Sequence, residues 1–315
     1  LAQRSRELDP TRLVGAAFYG PGFQGRTLTV AAPLVASLDV VGVNEYFVNV
    51  FGDFGKSRSA GAGYRSDWSV GGLQFGMTRG LSTALTFGLA GSASTGRVKA
   101  GAASYDATTF AVDAMLGWRQ GGAFVNAGLG AGVNRMTDWE RKTFVGPLKN
   151  TGDPSGHAMS AILEGGYDIG MGTFTLTPAA RLGWLHAKSD AFTEIGAVAP
   201  IAFGGRTLNA IVGAAELRAR FDIVREPGRV ASAYALVGYE DFLSYSGGAV
   251  RGRLAGNTAL PFVTPIGDLA GEGVQLGAGL SGSVGAMKLN AEYRASLGKG
   301  DGARHRGSVG VKMAF

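Results

Sequence analysis

Side chains that could do chemistry are few in this chain, and they fit no recognisable reactive arrangement. The chain contains no cysteine, which excludes disulfides, thiolate metal sites and cysteine nucleophiles. Its three histidines, His157, His186 and His305, are scattered and form neither the HxH nor the HExxH spacing that holds a metal ion. His305 and Ser308 fall on one candidate strand, so we interpret both as structural residues.

The carboxylates also lack the spacing of a catalytic pair. Glu164 and Asp168, like Glu216 and Asp222, are spaced as residues of a β-strand rather than as a general acid and its base. The sequence therefore predicts no catalytic, cofactor-binding or metal-binding residues, and no enzymatic activity. The least favoured alternative is an enzyme: a glycosidase formed by residues 1–55, or a membrane-anchored hydrolase whose catalytic part lies outside the chain.

Charged residues instead alternate with apolar residues along candidate strands. In MKLNAEYRASL, the side chains of Leu289 and Tyr293 point one way, and those of Lys288, Glu292 and Arg294 point the other way. A soluble β-protein would alternate as well. However, strands of about ten residues, repetition along nearly the whole chain and a chain end within a strand together favour a transmembrane β-barrel.

The connections between these runs support the barrel, because short and long connections alternate. The sequence predicts tight turns at 79–82, 119–122, 170–172, 224–229 and 285–286, and long polar connections at 94–104, 140–157, 189–205 and 246–272. Counting from EYFVNVFGDF, we predict an all-β, antiparallel up-and-down transmembrane barrel of about 12 strands, with its short turns on the periplasmic side. Pro178 lies inside one run, where we expect a bulge or bend because proline cannot donate to a ladder.

In such a barrel, the polar side of each strand faces the lumen. Simple solvation in a polar lumen is a sufficient role for these charges, and a specific contact is the less favoured interpretation. The charged residues predicted to face the lumen are Glu164, Asp168, Arg181, Glu216, Arg218, Arg220, Lys288, Glu292 and Arg294.

Composition excludes several other classes of protein. The net charge is +6, but the basic residues are spread singly, so the sequence predicts no nucleic-acid binding. An apolar run of about 18 residues, which a transmembrane helix requires, is absent from the sequence. Glycine is abundant, with 53 residues, and much of it lies inside the alternating runs, where small residues suit a strongly curved wall.

Residues 1–44 differ from the rest and are predicted to form a separate, short α/β or helical segment before a barrel at 45–315. ELDPTRLV and LDVVGVNEYF resemble part of a β-glucuronidase-like family 2 glycoside hydrolase, but that family's acid/base and nucleophile motifs are absent, so Asn44 and Glu45 are not assigned as catalytic. Alternatively, TLTVAAPLVASLDVV forms an amphipathic helix that plugs the lumen. The segment is a passenger remnant, a plug or a glycosidase-like fragment. Because the chain begins with LAQRSREL, without Met or a signal peptide, we expect a mature product or an excised domain.

The final residues resemble the C-terminal signal of bacterial outer-membrane proteins. Ser308, Gly310, Met313 and Phe315 fill its polar, glycine, hydrophobic and terminal aromatic positions. Met313 stands where an aromatic residue is commoner. The resemblance implies that the barrel assembly machinery recognises this end of the chain.

Residues 45–315 resemble the β-domain of type V secretion autotransporters. SGHAMSAILEGGYDIG, TLTPAARLGWLHAKSDAFTEIGA and KLNAEYRASLGKGDGARHRGSVGVKMAF are similar to the barrels of GDSL-esterase autotransporters, although the esterase GDS and DxxH blocks are absent. The resemblance implies a monomeric translocator and anchor in the bacterial outer membrane. Its expected partners are outer-membrane lipid, the assembly machinery and its own N-terminal passenger. The alternative is a porin-like solute channel, with 246–272 as its constriction loop.

Overall fold

The computed structural model describes residues 42–58, 65–143, 146, 148–196, 198–226, 229–247, 249–265, 273–298 and 302–314. These residues form strands and turns. No helix in this part of the chain is long and apolar enough to cross a membrane. Residues 1–41 of the predicted N-terminal segment lie outside the described residues, so the division at residue 44 stays a prediction. Phe315, the last residue of the predicted C-terminal signal, also lies outside the described residues.

The described residues form eighteen strands. They are β1 (Asn44–Arg58), β2 (Arg65–Gly80), β3 (Leu85–Ala100), β4 (Ala103–Gln120), β5 (Ala123–Lys142), β6 (Lys149–Gly152), β7 (Ser155–Tyr167), β8 (Ile169–Met171), β9 (Phe174–Ser189), β10 (Phe192–Thr193), β11 (Ile201–Phe203), β12 (Arg206–Glu226), β13 (Arg229–Ser246), β14 (Ala249–Leu254), β15 (Asn257–Pro265), β16 (Gly273–Val284), β17 (Met287–Gly298) and β18 (Ala303–Ala314).

Twelve antiparallel wall strands close into a barrel, which confirms the predicted fold. Their order is β1–β2–β3–β4–β5–β7–β9–β12–β13–β16–β17–β18, and β18 pairs with β1 to complete the circle. The closing pair runs from Glu45 opposite Ala314 to Lys56 opposite Ala303. Closure leaves no edge strand, so backbone N–H and C=O groups in the wall are paired where lipid could not satisfy them.

The two faces of the wall differ in side-chain type. In β4, Tyr105 and Met115 are buried inside the barrel, whereas Phe110 and Val112 on the other face are exposed. The other wall strands likewise expose large apolar side chains, of which Leu129, 66% exposed, is an example. An exposed apolar band on every side suits a protein surrounded by lipid.

The connections at one end of the barrel are short, whereas the other end carries the long connections that join β5 to β7, β9 to β12 and β13 to β16. Two-residue turns join β4 to β5 and β16 to β17, with Gly121 and Gly285 at φ 59° and 58°, a backbone conformation that glycine adopts without strain. The described end of β18 lies at the same end as these turns. Short turns mark the periplasmic side of outer-membrane barrels, so the longer connections face outward.

The predicted long connection at 94–104 is wrong. β3 continues to Ala100 and β4 begins at Ala103, so a two-residue turn joins them. The sequence predicts a loop here because the outward side chains of the segment are polar: Arg97 Nε lies 2.8 Å from Asp106 Oδ1 on the outer face. Its inward side chains, including Val98, are buried and apolar. The strand pattern therefore continues beyond the apolar band.

At Pro178 the ladder is interrupted, and the expected bulge is not formed. The strand opposite is divided at Asp168 into β7 and β8, while the register with β9 is the same on both sides of the gap. On its other side, Pro178 pairs with Leu217 of the continuous strand β12. Proline has no N–H to donate, so the gap lies where a ladder hydrogen bond would be missing.

Many wall glycines lie against aromatic rings of neighbouring strands. A Cβ atom on Gly72 would come within 2.5 Å of the Phe51 ring, and a Cβ on Gly279 would come within 2.5 Å of the Tyr234 ring. Glycine is therefore needed where a ring lies flat across the next strand, a packing that also compensates for the missing side chain. This contact explains much of the glycine inside the alternating runs.

Candidate functional site

The interior of the barrel is the candidate site, and it has two regions. One is a charged belt on the wall strands, made of Glu164, Arg181, Glu216, Arg218, Tyr234, Glu240, Glu292 and Arg294. The other is a cap at the outward end, made of β10, β11, β14 and β15, which form a four-stranded sheet of their own. Each region has a different chemistry.

The centre of the charged belt is a cluster of alternating acids and bases from β12, β13 and β17. Arg294 Nη1 lies 3.4 Å from Glu216 Oε2, and Arg294 also pairs with Glu292. Arg218 pairs with Glu216, and the Tyr234 hydroxyl donates a hydrogen bond to Glu292. Each charge therefore has an opposite charge beside it, which offsets its partial removal from water.

The belt continues across β9 and β7. Arg181 Nη2 lies 2.8 Å from Glu240 Oε2, which joins β9 to β13 over Ala214 of the intervening strand β12. Glu164, on β7, lies where the charges of Arg181, Arg218 and Arg294 act on it. The structure thus brings together six of the nine residues predicted to face the lumen: Glu164, Arg181, Glu216, Arg218, Glu292 and Arg294.

Asp168 and Arg220 lie apart from this cluster, nearer the short turns. Asp168 Oδ2 lies 2.6 Å from Arg119 Nη1, and Asp168 Oδ1 accepts a hydrogen bond from the Thr177 hydroxyl at 2.6 Å. Arg220 is half-exposed, and its Nε lies 3.7 Å from Asp222 Oδ1. Sequence reasoning missed Arg119, although its alternation with Trp118 on β4 was a usable signal.

Lys288, the ninth predicted residue, belongs to a second small cluster at the seam between the first and last strands. Its Nζ lies 2.9 Å from Glu45 Oε1, and Lys312 pairs with the same carboxylate. Glu45 is buried on the inner face of β1. The two lysines therefore tie β17 and β18 to β1. The sequence assigned no role to Glu45, and Lys312 was not among the predicted charges.

Asp53 forms another interior contact across this seam that was not predicted. The indole Nε1 of Trp68 donates a hydrogen bond to Asp53 Oδ1 at 2.9 Å, and Arg304 pairs with Asp53 Oδ2. β18, β1 and β2 are thus joined by side chains as well as by their ladders. The weak alternation of EYFVNVFGDF concealed Asp53, because aromatic residues share its inward face.

The cap closes over an apolar interior at the outward end. Its strands come from the connections between β9 and β12 and between β13 and β16. Trp139, fully buried on β5, is the centre: its ring centroid lies 5.5 Å from Tyr105 and 5.3 Å from Phe192. The cluster includes Trp68, Val98, Ala103, Tyr105, Ala107, Met136, Trp139, Ala187, Ile201, Phe203, Leu208 and Val250.

A buried ion pair fixes the cap to the wall. Arg141 and Glu194 are 5% and 0% exposed, and Arg141 donates to Glu194 at 2.7 Å from Nε and 2.6 Å from Nη2. Glu194 Oε2 also accepts from Asn150 Nδ2 at 3.1 Å and from the backbone N–H of Ile201 at 3.0 Å. Such complete hydrogen bonding is what allows a charge pair to lie in an apolar region.

The residues of the predicted C-terminal signal that the structure describes lie on both faces of β18. Met313 is exposed on the outer face, and Ser308 and Gly310 lie on the inner face. A Cβ atom on Gly310 would come within 2.6 Å of Asn290 Oδ1, so a larger residue would displace that side chain. Recognition of this segment by the assembly machinery stays a prediction.

The residues with reactive side chains are dispersed in the structure. His305 Nδ1 lies 2.6 Å from the Tyr293 hydroxyl on the outer face, whereas Ser308 lies on the inner face of the same strand. His186 Nδ1 lies 2.7 Å from Asn209 Oδ1. Within the described ranges, no group of three His, Cys, Asp or Glu side chains could hold a metal ion.

Comparisons with known proteins agree with this architecture. Residues 46–294 match the family model for the autotransporter beta-domain. The structure resembles the translocator domain of autotransporter NalP from Neisseria meningitidis, with a TM-score of 0.72 and 20% identity over 93% of this chain and 94% of that chain. No curated protein sequence matches the chain.

Two further solved barrels are similar. The transport unit of the autotransporter AIDA-I from Escherichia coli has a TM-score of 0.63 and 14% identity, over 94% of this chain and 100% of that chain. The β-domain of the Bordetella autotransporter BrkA has a TM-score of 0.59 and 18% identity, over 86% and 99%. The esterase-type subgroup, and the glycoside hydrolase resemblance of residues 1–50, stay predictions. The family match spans most of the sequence: the chain belongs to the autotransporter β-domain family and is an outer-membrane β-barrel translocator.

Proposed function

We propose that this barrel anchors its own N-terminal passenger in the outer membrane and exports it through the lumen, without chemistry of its own. The observation that carries the proposal is a closed wall with a polar, ion-paired interior behind a cap built only from connections. Outer-membrane lipid and the barrel assembly machinery are the other partners that we propose, and the barrel acts as a monomer.

The charged belt suits the passage of an unfolded chain. Its four carboxylates and three guanidinium groups nearly balance, so neither sign of charge on a passing segment meets a strong barrier. The paired side chains also have polar atoms that can exchange hydrogen bonds with a passing backbone. A dry apolar interior would instead leave that backbone without partners.

The cap suits the role of a seal. None of its strands belongs to the ladder that closes the wall, so the cap can move without opening the barrel. Its apolar core excludes water from the outward mouth, whereas a solute channel needs an open path there. The segment 246–272, which would be the constriction loop of a porin, supplies β14 and β15 to the cap.

Export can be tested with a secreted reporter fused ahead of residue 1. We expect protease added to intact cells to remove the reporter while the barrel stays in the outer membrane. The matched control lacks residues 303–314, which removes β18 and leaves the wall open. A folded barrel whose reporter stays in the periplasm would reject the proposal. Steady, ion-selective conductance of the purified barrel together with that result would favour the porin alternative.

A further inference from the structure

An uncompensated basic cluster lies on the outer face of three neighbouring wall strands, at the outward end. It consists of Arg135 on β5, His157 on β7 and Lys188 on β9. His157 lies directly opposite Lys188 in the ladder, and Arg135 lies opposite Ser155, two residues from His157. Arg135 and Lys188 are exposed, and His157 is half-buried.

The cluster lies at the upper edge of the apolar band, one row above the polar pair His186 and Asn209 on the same face. Val133 is directly opposite His157, and Met159 and Trp184 follow on the side toward the periplasm; all three are exposed to the surroundings of the barrel. The basic groups therefore lie at the outward boundary of the hydrocarbon, at the depth where the headgroups of the outer leaflet begin.

Other outward-facing cations near this end have acidic neighbours. Arg97 pairs with Asp106 at 2.8 Å. Lys56 and Lys99 lie on either side of Asp67 in the ladders of β1, β2 and β3. Each of these cations therefore has an acidic neighbour in the wall, although Lys56 and Lys99 share one carboxylate.

Arg135 and Lys188 differ from those cations. Among the residues that the structure describes, neither side chain has an ion-pair partner. The nearest acidic groups are Asp138, three residues along β5, and Asp153, two residues before Ser155, which is opposite Arg135. Asp190 is also near and accepts a hydrogen bond from Ser155 Oγ at 2.7 Å. The remaining neighbours in the row, Thr108 and Thr207, are uncharged hydrogen-bonding residues.

We propose that Arg135, His157 and Lys188 bind the phosphate group of an outer-leaflet glycolipid, whose acyl chains lie along Val133, Met159 and Trp184. Adjacent strands are about 4.8 Å apart, so the two long side chains flank His157 and converge on an anion above it. Arginine offers two parallel donors to phosphate and lysine offers a mobile point charge. This inference uses the outer-membrane location and goes beyond export.

The apolar surface below the cluster indicates a lipid rather than a free anion. A free phosphate would use the three polar side chains alone. A phosphorylated glycolipid would also cover Val133 and Met159, so its binding should exceed that of inorganic phosphate. The two sources of phosphate are therefore separable in one experiment.

The test uses the folded full chain in a neutral detergent, with binding followed by native mass spectrometry. The probes are diphosphorylated lipid A, its dephosphorylated form and inorganic phosphate. We expect diphosphorylated lipid A to bind roughly tenfold more tightly than either other probe. The double variant R135Q/K188Q should lose that preference, whereas the matched double variant K56Q/K99Q, with the same change of charge, should keep it.

Three results would overturn the proposal. Equal binding of dephosphorylated lipid would indicate apolar contact alone, and equal binding of inorganic phosphate would indicate an anion site without lipid. An equal loss in K56Q/K99Q would indicate diffuse attraction. Reporter export should persist in R135Q/K188Q, so failure of the lipid result leaves the export proposal intact.

Discussion

The charged belt and the cap fill the same barrel by opposite means. In the belt, acidic and basic side chains of the wall strands lie beside one another, and no second layer covers them among the residues that the structure describes. In the cap, a separate sheet covers the wall's inner face, and the buried ion pair of Arg141 and Glu194 lies among aromatic rings. A transmembrane barrel can therefore contain, at one end, the kind of dry core that soluble proteins use.

The difference predicts that a lost charge is most damaging in the cap. Glu194→Ala should destabilise the closed cap by about 3–5 kcal/mol, because Arg141 would stay buried without its partner. Limited proteolysis of the folded barrel should then cut residues 190–205 while the wall stays resistant. Glu194→Gln, which keeps the shape and some hydrogen bonds, is the control with a smaller effect. Unchanged protection in Glu194→Ala would mean that the ion pair does not hold the cap.

A new charge should be tolerated on the inner face of β17, which contributes to the belt, and should destabilise the barrel on the lipid-facing side of the same strand. Leu289→Arg, on the exposed face of β17, should destabilise the barrel by about 2–4 kcal/mol, whereas Asn290→Arg, on the inner face, should have a small effect. The shift between folded and unfolded bands on unheated gels, over a urea series, measures both. Equal tolerance of the two variants would show that the interior is not the wet side.

A covalent lock would test whether the cap moves independently of the wall. Thr151 and Ile195 exchange both backbone hydrogen bonds, at 2.9 and 2.8 Å, so their Cα atoms should be about 5.5 Å apart, within reach of a disulfide. The oxidised Thr151→Cys/Ile195→Cys variant should show roughly tenfold fewer opening events in bilayer recordings. Reduction should restore them, and each single variant is a control. If opening events persist in the oxidised form, then movement of the cap is not their cause.

The smallest expected effect belongs to Arg220, which lies outside the charged belt and nearer the short turns. Arg220 is half-exposed and 3.7 Å from Asp222, so Arg220→Gln should change the free energy of unfolding by less than about 1 kcal/mol. Urea unfolding followed by tryptophan fluorescence measures it. A change as large as that of Glu194→Ala would contradict the contrast between the two regions.

The wall could be predicted from sequence because alternation is a local signal. Alternation over a few residues assigns Leu289 to the outer face and Glu292 to the inner face. The twelve alternating segments predict the number of wall strands. β1 was less clear, since its inward face carries Phe47 and Phe51 beside Glu45 and Asn49, which blurs the alternation. The inward aromatic rings lie over glycines of β2, a contact that only the register reveals.

The cap could not be predicted, because its contacts join distant parts of the chain. β11 pairs with β14, so Ile201 lies opposite Leu254, although the sequence predicts a long polar connection at each of the two segments. The apolar triplet Ile201–Phe203 and the apolar residues Leu260, Phe262 and Val263 of β15 were the local signals. Glu194 gave no local signal, because a carboxylate in a polar segment is expected to be solvated. Its burial follows only from its hydrogen bonds to Arg141, Asn150 and the backbone N–H of Ile201.

The unequal lengths of the wall strands give the barrel an uneven rim. β5 and β12 contain 20 and 21 residues, whereas β16, β17 and β18 contain 12 each. At about 3.3 Å per residue and a tilt of about 40°, the long strands rise roughly 20 Å higher than the short ones. Among the described strands, the wall is therefore highest at β5 and β12 and lowest at β16, β17 and β18. A chain leaving over the low strands would emerge nearer the cell surface than one leaving over the high strands.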